Sequence, residues 1–232
     1  MIPVFVGLYT ALIIASITGY LLHQRKPSPS IDNLNSRIKA WWVMITVGGL
    51  VLIAGTWAIL LLFASLAFFA LKELPTPAGF LLGVLGLAHA PALLFLDLPT
   101  DPKALVFYFV LIVQASDVLQ YLFGNWIGRH PVAPKISPSK TVEGFVGGII
   151  AATLLGALLH GLTPFNLLQG GFLALAITLA GFLSGLAFSA IKRSKGIKDW
   201  GQSIAGHGGV LDRIDSLCLS APVCYYAVRL FA

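Results

Sequence analysis

Seven long apolar runs dominate this 232-residue chain and restrict how it can fold. They are residues 2–22, 40–72, 78–96, 103–123, 143–163, 168–190 and 208–231. A helix needs about 20 apolar residues to cross the hydrocarbon core of a bilayer, and most of these runs reach that length. Because 57% of the residues are hydrophobic and only 10% are charged, a soluble globular domain is excluded. We predict an all-α polytopic membrane protein that forms a single domain over residues 1–232.

The run 40–72 is long for one helix, and the basic residues indicate how it crosses the membrane. Cations cluster in three segments that the positive-inside rule places on the cytoplasmic side. These segments are 23–39, 124–142 and 191–207. All three share one side only if the run crosses twice, as helices 40–54 and 56–72 hinged near Gly55. This predicts about eight transmembrane helices. Each half spans only about 24 Å, so a re-entrant course for one of them stays an alternative.

The charge and the N-terminus bear on location and partners. A net charge of +6 suits basic loops against anionic lipid, so no nucleic-acid partner is expected. The run 2–22 has no cationic segment before it and no cleavage motif of small residues after it, so we expect a retained first helix. The expected location is a bacterial inner membrane, with the three basic segments facing the cytoplasm.

The charge that most of the chain avoids is concentrated between Ser189 and Asp215. Cations beside carboxylates suggest phosphate and a divalent metal, because ammonium and guanidinium groups bind phosphate oxygens and carboxylates hold Mg²⁺. Asp212 and Asp215 are three residues apart at the start of the last apolar helix, so both can face one metal. Glycines around His207 allow backbone N–H groups to approach an oxyanion closely.

A second polar block begins with Asp117, which lies inside the apolar run 103–123. An ionised Asp at the centre of a bilayer costs about 2.5–3.5 kcal/mol. A hydrogen bond between helices would explain it structurally, and a functional role is favoured because a basic segment follows.

In that segment, prolines prevent a regular helix before Lys140. Ser139 or Thr141 can then cap a helix that begins near Val142, with Glu143 in its first turn. A helix N-terminus beside a lysine and hydroxyl groups is a ready phosphate site.

Both blocks resemble the phosphatidate cytidylyltransferase (CDP-diacylglycerol synthase) family. The downstream block fits its signature S-x2-K-R-x4-K-D-x7-H-G-G-x2-D-R-x-D. The matching residues are Ser189, Lys192, Arg193, Lys198, Asp199, His207, Gly208, Gly209, Asp212, Arg213 and Asp215. The upstream block fits D-x3-Y-x2-G followed by S-P-x-K-T-x-E-G. Its matching residues are Asp117, Tyr121, Gly124, Ser137, Pro138, Lys140, Thr141, Glu143 and Gly144. The resemblance covers residues 103–231 and makes 103–232 the catalytic half, whereas the helices of 1–102 have no role that their residues indicate.

The resemblance implies that CTP and phosphatidate give CDP-diacylglycerol and pyrophosphate with Mg²⁺, and it is compatible with a homodimer. The implied catalytic residues are Asp212, Asp215, Lys192 and Asp199. The implied residues for CTP and phosphate are Ser137, Lys140, Thr141, Glu143, Arg193, Lys198, His207, Gly208, Gly209 and Arg213. The implied metal ligands are Asp212, Asp215, Asp199 and Asp117.

One position departs from the family pattern. The family carries an Asp where this chain has Gly185, so the metal site must be built from other carboxylates here. Two alternatives stay open. One is a CTP-dependent transferase or kinase acting on another lipid or lipid phosphate, and the other is an inactive membrane scaffold with the same fold.

Overall fold

The computed structural model describes residues 1–25, 27–77, 79–201 and 208–232, and these ranges are mainly helical. The α-helices are α1 (Ile2–Arg25), α2 (Pro29–Ala54), α3 (Thr56–Glu73), α4 (Gly86–Ala92), α5 (Pro102–Ile127), α6 (Val142–Leu158), α7 (Leu167–Ser194) and α8 (Leu211–Phe231). A π-helical stretch, Gly79–Leu85, precedes α4, and short 3-10 turns lie at Leu93–Phe95 and His160–Leu162. The prediction of an all-α polytopic membrane protein is confirmed.

The predicted break in the long apolar run is present at Gly55. This residue separates α2 from α3 and has a φ of 93°, a conformation that glycine adopts without the steric cost of a Cβ. The start of α2 corrects an expectation, because the segment 23–39 is mostly helical and not a loop. Ser28 caps this helix by accepting a hydrogen bond from the N–H of Ile31, and Pro29 occupies the first helical position.

Six helices are long and apolar enough to span a membrane by length and composition. They are Ile2–Arg25, Leu34–Ala54, Thr56–Glu73, Pro102–Ile127, Leu167–Ser194 and Leu211–Phe231. The apolar helical stretches Gly79–Phe95 and Val142–Leu158 are shorter. Both halves of the divided run therefore have spanning length, which removes the reason for a re-entrant course. The predicted count of about eight corresponds to six long helices and two short ones in the described part of the chain.

The chain forms two compact units, Met1–Ile59 and Leu60–Ala232. In the first unit, α1 packs on α2, where the indole N–H of Trp42 donates to Ser16 Oγ at 3.0 Å. Many of its large apolar side chains are exposed, as expected for surfaces that face lipid. The sequence-based division at residue 102 stays a prediction, and it differs from this boundary.

In the second unit, α5 to α8 pack consecutively around a buried core, and α4 packs on α8. The α5–α6 contact is close because Gly148 has no side chain: a Cβ there would lie 2.6 Å from the backbone nitrogen of Gln120. Small residues of this kind let helix backbones approach each other within a membrane. The hydroxyl of buried Tyr108 donates to the carbonyl of Gly170 at 2.8 Å and so joins α5 to α7.

A short antiparallel hairpin connects α5 to α6. Its strands are β1 (Pro131–Ala133) and β2 (Ser137–Thr141), with Pro131 opposite Thr141. The prolines that exclude a helix here are compatible with these short strands, which the sequence did not predict. As predicted, Thr141 caps α6, and its hydroxyl accepts from the N–H of Gly144 at 3.1 Å. The hairpin carries Lys140 towards α7.

Candidate active site

Lys192 and Asp212 form a buried salt bridge between α7 and α8. The Lys192 ammonium donates to Asp212 Oδ1 at 2.7 Å, and the two side chains are only 10% and 9% exposed. Buried charges are tolerated in proteins when they are paired and hydrogen-bonded. The pair therefore fixes the last turns of α7 against the first turn of α8.

The second oxygen of Asp212 holds the glycine-containing segment before α8. Its Oδ2 accepts from the N–H of Trp200 and from the N–H of Gly209, both at 2.9 Å. Gly208 has a φ of 82°, and a Cβ there would lie 2.9 Å from the same oxygen. Both Asp212 oxygens are thus engaged. A carboxylate has about four lone-pair positions, and three of those on Asp212 are used by these contacts.

Asp117 belongs to α5, and Asp215 lies three residues after Asp212 in α8. Asp117 Oδ2 accepts from the Ser216 hydroxyl at 2.6 Å, and the Ser184 hydroxyl donates to the backbone carbonyl of Asp215. Both carboxylates are half-buried, and Asp215 is within electrostatic range of Asp117. A charged carboxylate within an apolar helix is costly, and a proton or a nearby cation offsets that cost.

Lys140 is a cation that approaches this acidic pair. It lies within electrostatic range of both Asp117 and Asp215. Its ammonium is 5.0 Å from the centre of the Phe182 ring, and a Cβ on Gly185 would lie 2.7 Å from Nζ. The missing side chain at position 185 is therefore what leaves room for the lysine. Lys140 forms no salt bridge with a carboxylate in the described part of the chain.

Glu143 and Thr141 have structural contacts at the hairpin. Glu143 Oε2 accepts from the N–H of Arg129 at 2.9 Å and of His130 at 3.2 Å, and Oε1 lies 2.5 Å from His130 Nδ1. The backbone N–H of Arg129, followed by the His130 side chain, lowers the pKa of Glu143 to about 2. Glu143 thus fastens the start of the hairpin to α6, while the Thr141 hydroxyl caps that helix.

The remaining predicted site residues that the structure describes belong to the hairpin, the end of α7 and the segment after it, and the first turn of α8. Arg193 donates to the carbonyls of Ile136 and Ile197, both at 3.1 Å, and so joins the hairpin to the end of α7. Lys198 and Asp199 are exposed, although Asp199 lies beside Gly208. Ser137 begins β2, and Arg213 lies in the first turn of α8. His207 lies outside the described residues. The proposed binding roles of this group remain predictions.

The sequence reasoning missed Ser184, Ser216, Phe182 and Glu73. Ser184 and Ser216 directly precede Gly185 and follow Asp215, so their positions carried a signal. Phe182 is one turn before Gly185 and resembles any apolar residue of its helix. Glu73 had only the signal of a lone carboxylate at the end of a long apolar run. Its contacts with the start of α8 lie 137 and 138 residues away in sequence.

The carboxylates at the site supply some, but not all, of the oxygen ligands that a hard cation such as Mg²⁺ needs. Among the described residues, no three His, Cys, Asp or Glu side chains form a group that would hold a metal by itself. Mg²⁺ is commonly bound by one or two carboxylates together with substrate phosphates. Asp117 and Asp215 fit that requirement better than Asp212, because the Asp212 oxygens already accept three hydrogen bonds.

Comparisons with known proteins match this chain over most of its length. Residues 76–231 match the model of the Cytidylyltransferase family. The Escherichia coli protein YnbB, which is described as uncharacterized, is 32% identical over an alignment covering 96% of each chain. The phosphatidate cytidylyltransferase of Mycobacterium leprae is 39% identical over 57% of this chain and 43% of its own. That of Bacillus subtilis is 36% identical over 55% and 48%. The match thus spans less than half the length of these two enzymes.

Proposed function

Because the chain belongs to the cytidylyltransferase family, a family of nucleotidyltransferases, we propose that it transfers the cytidylyl group of CTP to phosphatidate. The products are CDP-diacylglycerol and pyrophosphate. Relatives named phosphatidate cytidylyltransferase support this choice of lipid. The observation that carries the proposal is the convergence of Lys140 and Lys192 with Asp117, Asp212 and Asp215 from four elements of one compact unit.

The reaction needs charge neutralisation more than it needs a base. The phosphate monoester of phosphatidate has a second pKa of about 6, so it is largely dianionic at neutral pH. One of its oxygens attacks the α-phosphorus of CTP, and a new P–O bond forms. The bond from that phosphorus to the bridging oxygen breaks, and pyrophosphate leaves with the electron pair. Two anionic reactants must approach each other, which makes positioned cations the main requirement.

The two lysines provide that charge in different ways. Lys140 has no carboxylate salt bridge in the described ranges, so its ammonium is available to a phosphate oxygen. Lys192 donates one of its three N–H groups to Asp212, the acceptor found for it in the described ranges, and we propose that the other two serve substrate. Asp212 orients this lysine and holds the backbone of Trp200 and Gly209.

Asp117 and Asp215 are proposed to hold Mg²⁺ together with substrate phosphates. The bound ion would neutralise phosphate oxygens on CTP and on the leaving pyrophosphate. Ser216 and Ser184 hold the two acidic residues in place through a side-chain and a backbone contact respectively. The roles of Asp199 and Asp212 as direct ligands stay predictions.

Purified protein in mixed micelles of phosphatidate tests the proposal directly. We expect pyrophosphate release that depends on CTP and Mg²⁺ and equals the CDP-diacylglycerol formed. Asp215→Asn is expected to lose most of this activity, since the site loses a charged ligand for Mg²⁺. No pyrophosphate with phosphatidate or with any other lipid phosphate would contradict the proposal and favour an inactive scaffold.

The orientation of the site is proposed to be cytoplasmic, because the basic segments cluster on one side of the predicted topology. The two native cysteines are buried, so a single introduced cysteine can be read clearly. Ser194→Cys should resist an impermeant thiol reagent in intact cells, whereas Asp97→Cys should react, because one spanning helix separates it from the basic segment 124–142. Labelling of Ser194→Cys in intact cells would overturn the orientation.

A further inference from the structure

The last residue of α3 makes a long-range contact with the start of α8. The Glu73 carboxylate accepts the N–H of Val210 at 2.9 Å through Oε1 and the N–H of Leu211 at 2.8 Å through Oε2. The next residue, Leu74, is fully buried, which anchors this end of α3. Neither motif of the sequence includes Glu73.

The segment that Glu73 holds is built around a glycine. A Cβ on Gly209 would lie 2.5 Å from Glu73 Oε2 and 2.8 Å from Oε1, so only glycine permits this approach. The N–H of Gly209 itself donates to Asp212. Three successive N–H groups, of residues 209 to 211, are therefore held by two carboxylates, Glu73 from outside α8 and Asp212 from within it.

These contacts set the position of the first turn of α8. The initial N–H groups of a helix have no partner within the helix, and its N-terminus favours negative charge. Glu73 satisfies two of these groups with a charge of the favourable sign. Asp212 and Asp215 follow within the next five residues on a helix that cannot shift without breaking both bonds.

We propose that Glu73 is a positioning residue, which holds the start of α8 so that Asp212 and Asp215 face Lys192 and Lys140. It does not touch substrate. Because its carboxylate occupies the N-terminus of α8, this helix end is closed to substrate phosphate, and phosphate binding falls to the lysines. That Glu73 affects turnover rests on the proposed function, whereas its hold on the backbone at the start of α8 does not.

The experiment compares Glu73→Gln, Glu73→Asp and the unaltered protein by hydrogen exchange and by kinetics. Glutamine has one acceptor oxygen and cannot accept both bonds in the same way. We expect the amides of residues 209–211 to exchange at least about tenfold faster, with exchange in α5 unchanged. A displacement near 1 Å can cost about 100-fold in rate, so we expect kcat to fall by about 10- to 100-fold, with KM for CTP changed less. Glu73→Asp should lie between the two.

Asp101→Asn is the matched control. Asp101 also caps a helix, accepting from the N–H of Lys103 at 3.0 Å, but it lies at the other end of α5 from the site. Its loss should leave kcat unchanged. A purely structural role for Glu73 would lower the yield of folded protein and leave the kcat of the folded fraction intact.

Two results would overturn the inference: unchanged exchange at residues 209–211 in Glu73→Gln, or faster exchange with full kcat. If Glu73→Gln does not fold, Glu73→Asp decides by the same two measurements. If the unaltered protein shows no transfer to any lipid phosphate, the proposed function fails, and the exchange result still decides whether Glu73 holds α8.

Discussion

A single methyl group at position 185 would test whether the place of Lys140 matters for turnover. In Gly185→Ala the new Cβ would lie 2.7 Å from the Lys140 ammonium, whereas ordinary contact begins at 3.4 Å, so the ammonium must retreat by about 0.7 Å. The obstacle is the far end of a flexible side chain, and the helix can keep its place.

We expect Gly185→Ala to lower kcat/KM moderately and to leave thermal stability intact. Retreat weakens the contact with Phe182, which is worth about 0.5–1 kcal/mol at exposed sites. It also moves the charge away from the phosphate. We expect kcat/KM to fall about tenfold, equivalent to about 1.4 kcal/mol of transition-state stabilisation. Alanine is favoured over glycine within a helix by roughly 0.5–1 kcal/mol, so thermal stability should be unchanged or higher.

The assay is initial-rate pyrophosphate release, measured beside thermal unfolding in the same detergent. Gly48→Ala is the matched control, because its Cβ would meet nothing within 4 Å and activity should be kept. In a Lys140→Met background, Gly185→Ala should have no further effect on rate, since the group it displaces is gone. Full kcat/KM in a folded Gly185→Ala protein would refute the role assigned to Lys140.

Three further predictions concern other parts of the site. Lys192→Met and Asp212→Asn each disrupt the same buried ion pair, so each should lower the free energy of unfolding by about 3–5 kcal/mol. The double variant should lose less than the sum of the two, and additive losses in denaturant titrations would contradict the pairing. Gly185→Asp places a carboxylate beside Lys140 and should reduce activity by drawing the ammonium away from phosphate; a rate above that of the unaltered protein would instead show that the site lacks a ligand. Glu143 has a lowered pKa, so the hairpin contact it makes is fully present above its ordinary pKa of 4.5 and lost as pH falls towards 2. The protection factors of the Arg129 and His130 amides, corrected for the intrinsic pH dependence of exchange, should therefore fall over that interval, and the same profile in Glu143→Gln would contradict this.

Elements set by local pattern were predictable from the sequence. The apolar runs gave the long helices because burial in lipid depends on composition over about 20 residues. The division at Gly55 came from the placement of basic residues, and it is confirmed by a glycine whose positive φ ends α2. The family resemblance rested on two spaced motifs, and it is confirmed by the match over residues 76–231.

Features that depend on tertiary packing were not predictable. The contact of Glu73 joins residues 137 positions apart, and no local pattern marks it. The sequence marks Gly185 as the place of an absent carboxylate, but it does not show that the Lys140 ammonium lies beside that position. Arg193 matches the motif as a cation, but its partners are backbone carbonyls brought near by folding.

Labelled phosphorus in CTP shows which phosphoryl or nucleotidyl group the protein transfers to the lipid phosphate. We expect label at the α position to enter the lipid and label at the γ position to leave as pyrophosphate, both in the presence of phosphatidate and Mg²⁺. Label from the γ position in the lipid, with CDP released, would rule out cytidylyl transfer and identify a CTP-dependent lipid kinase.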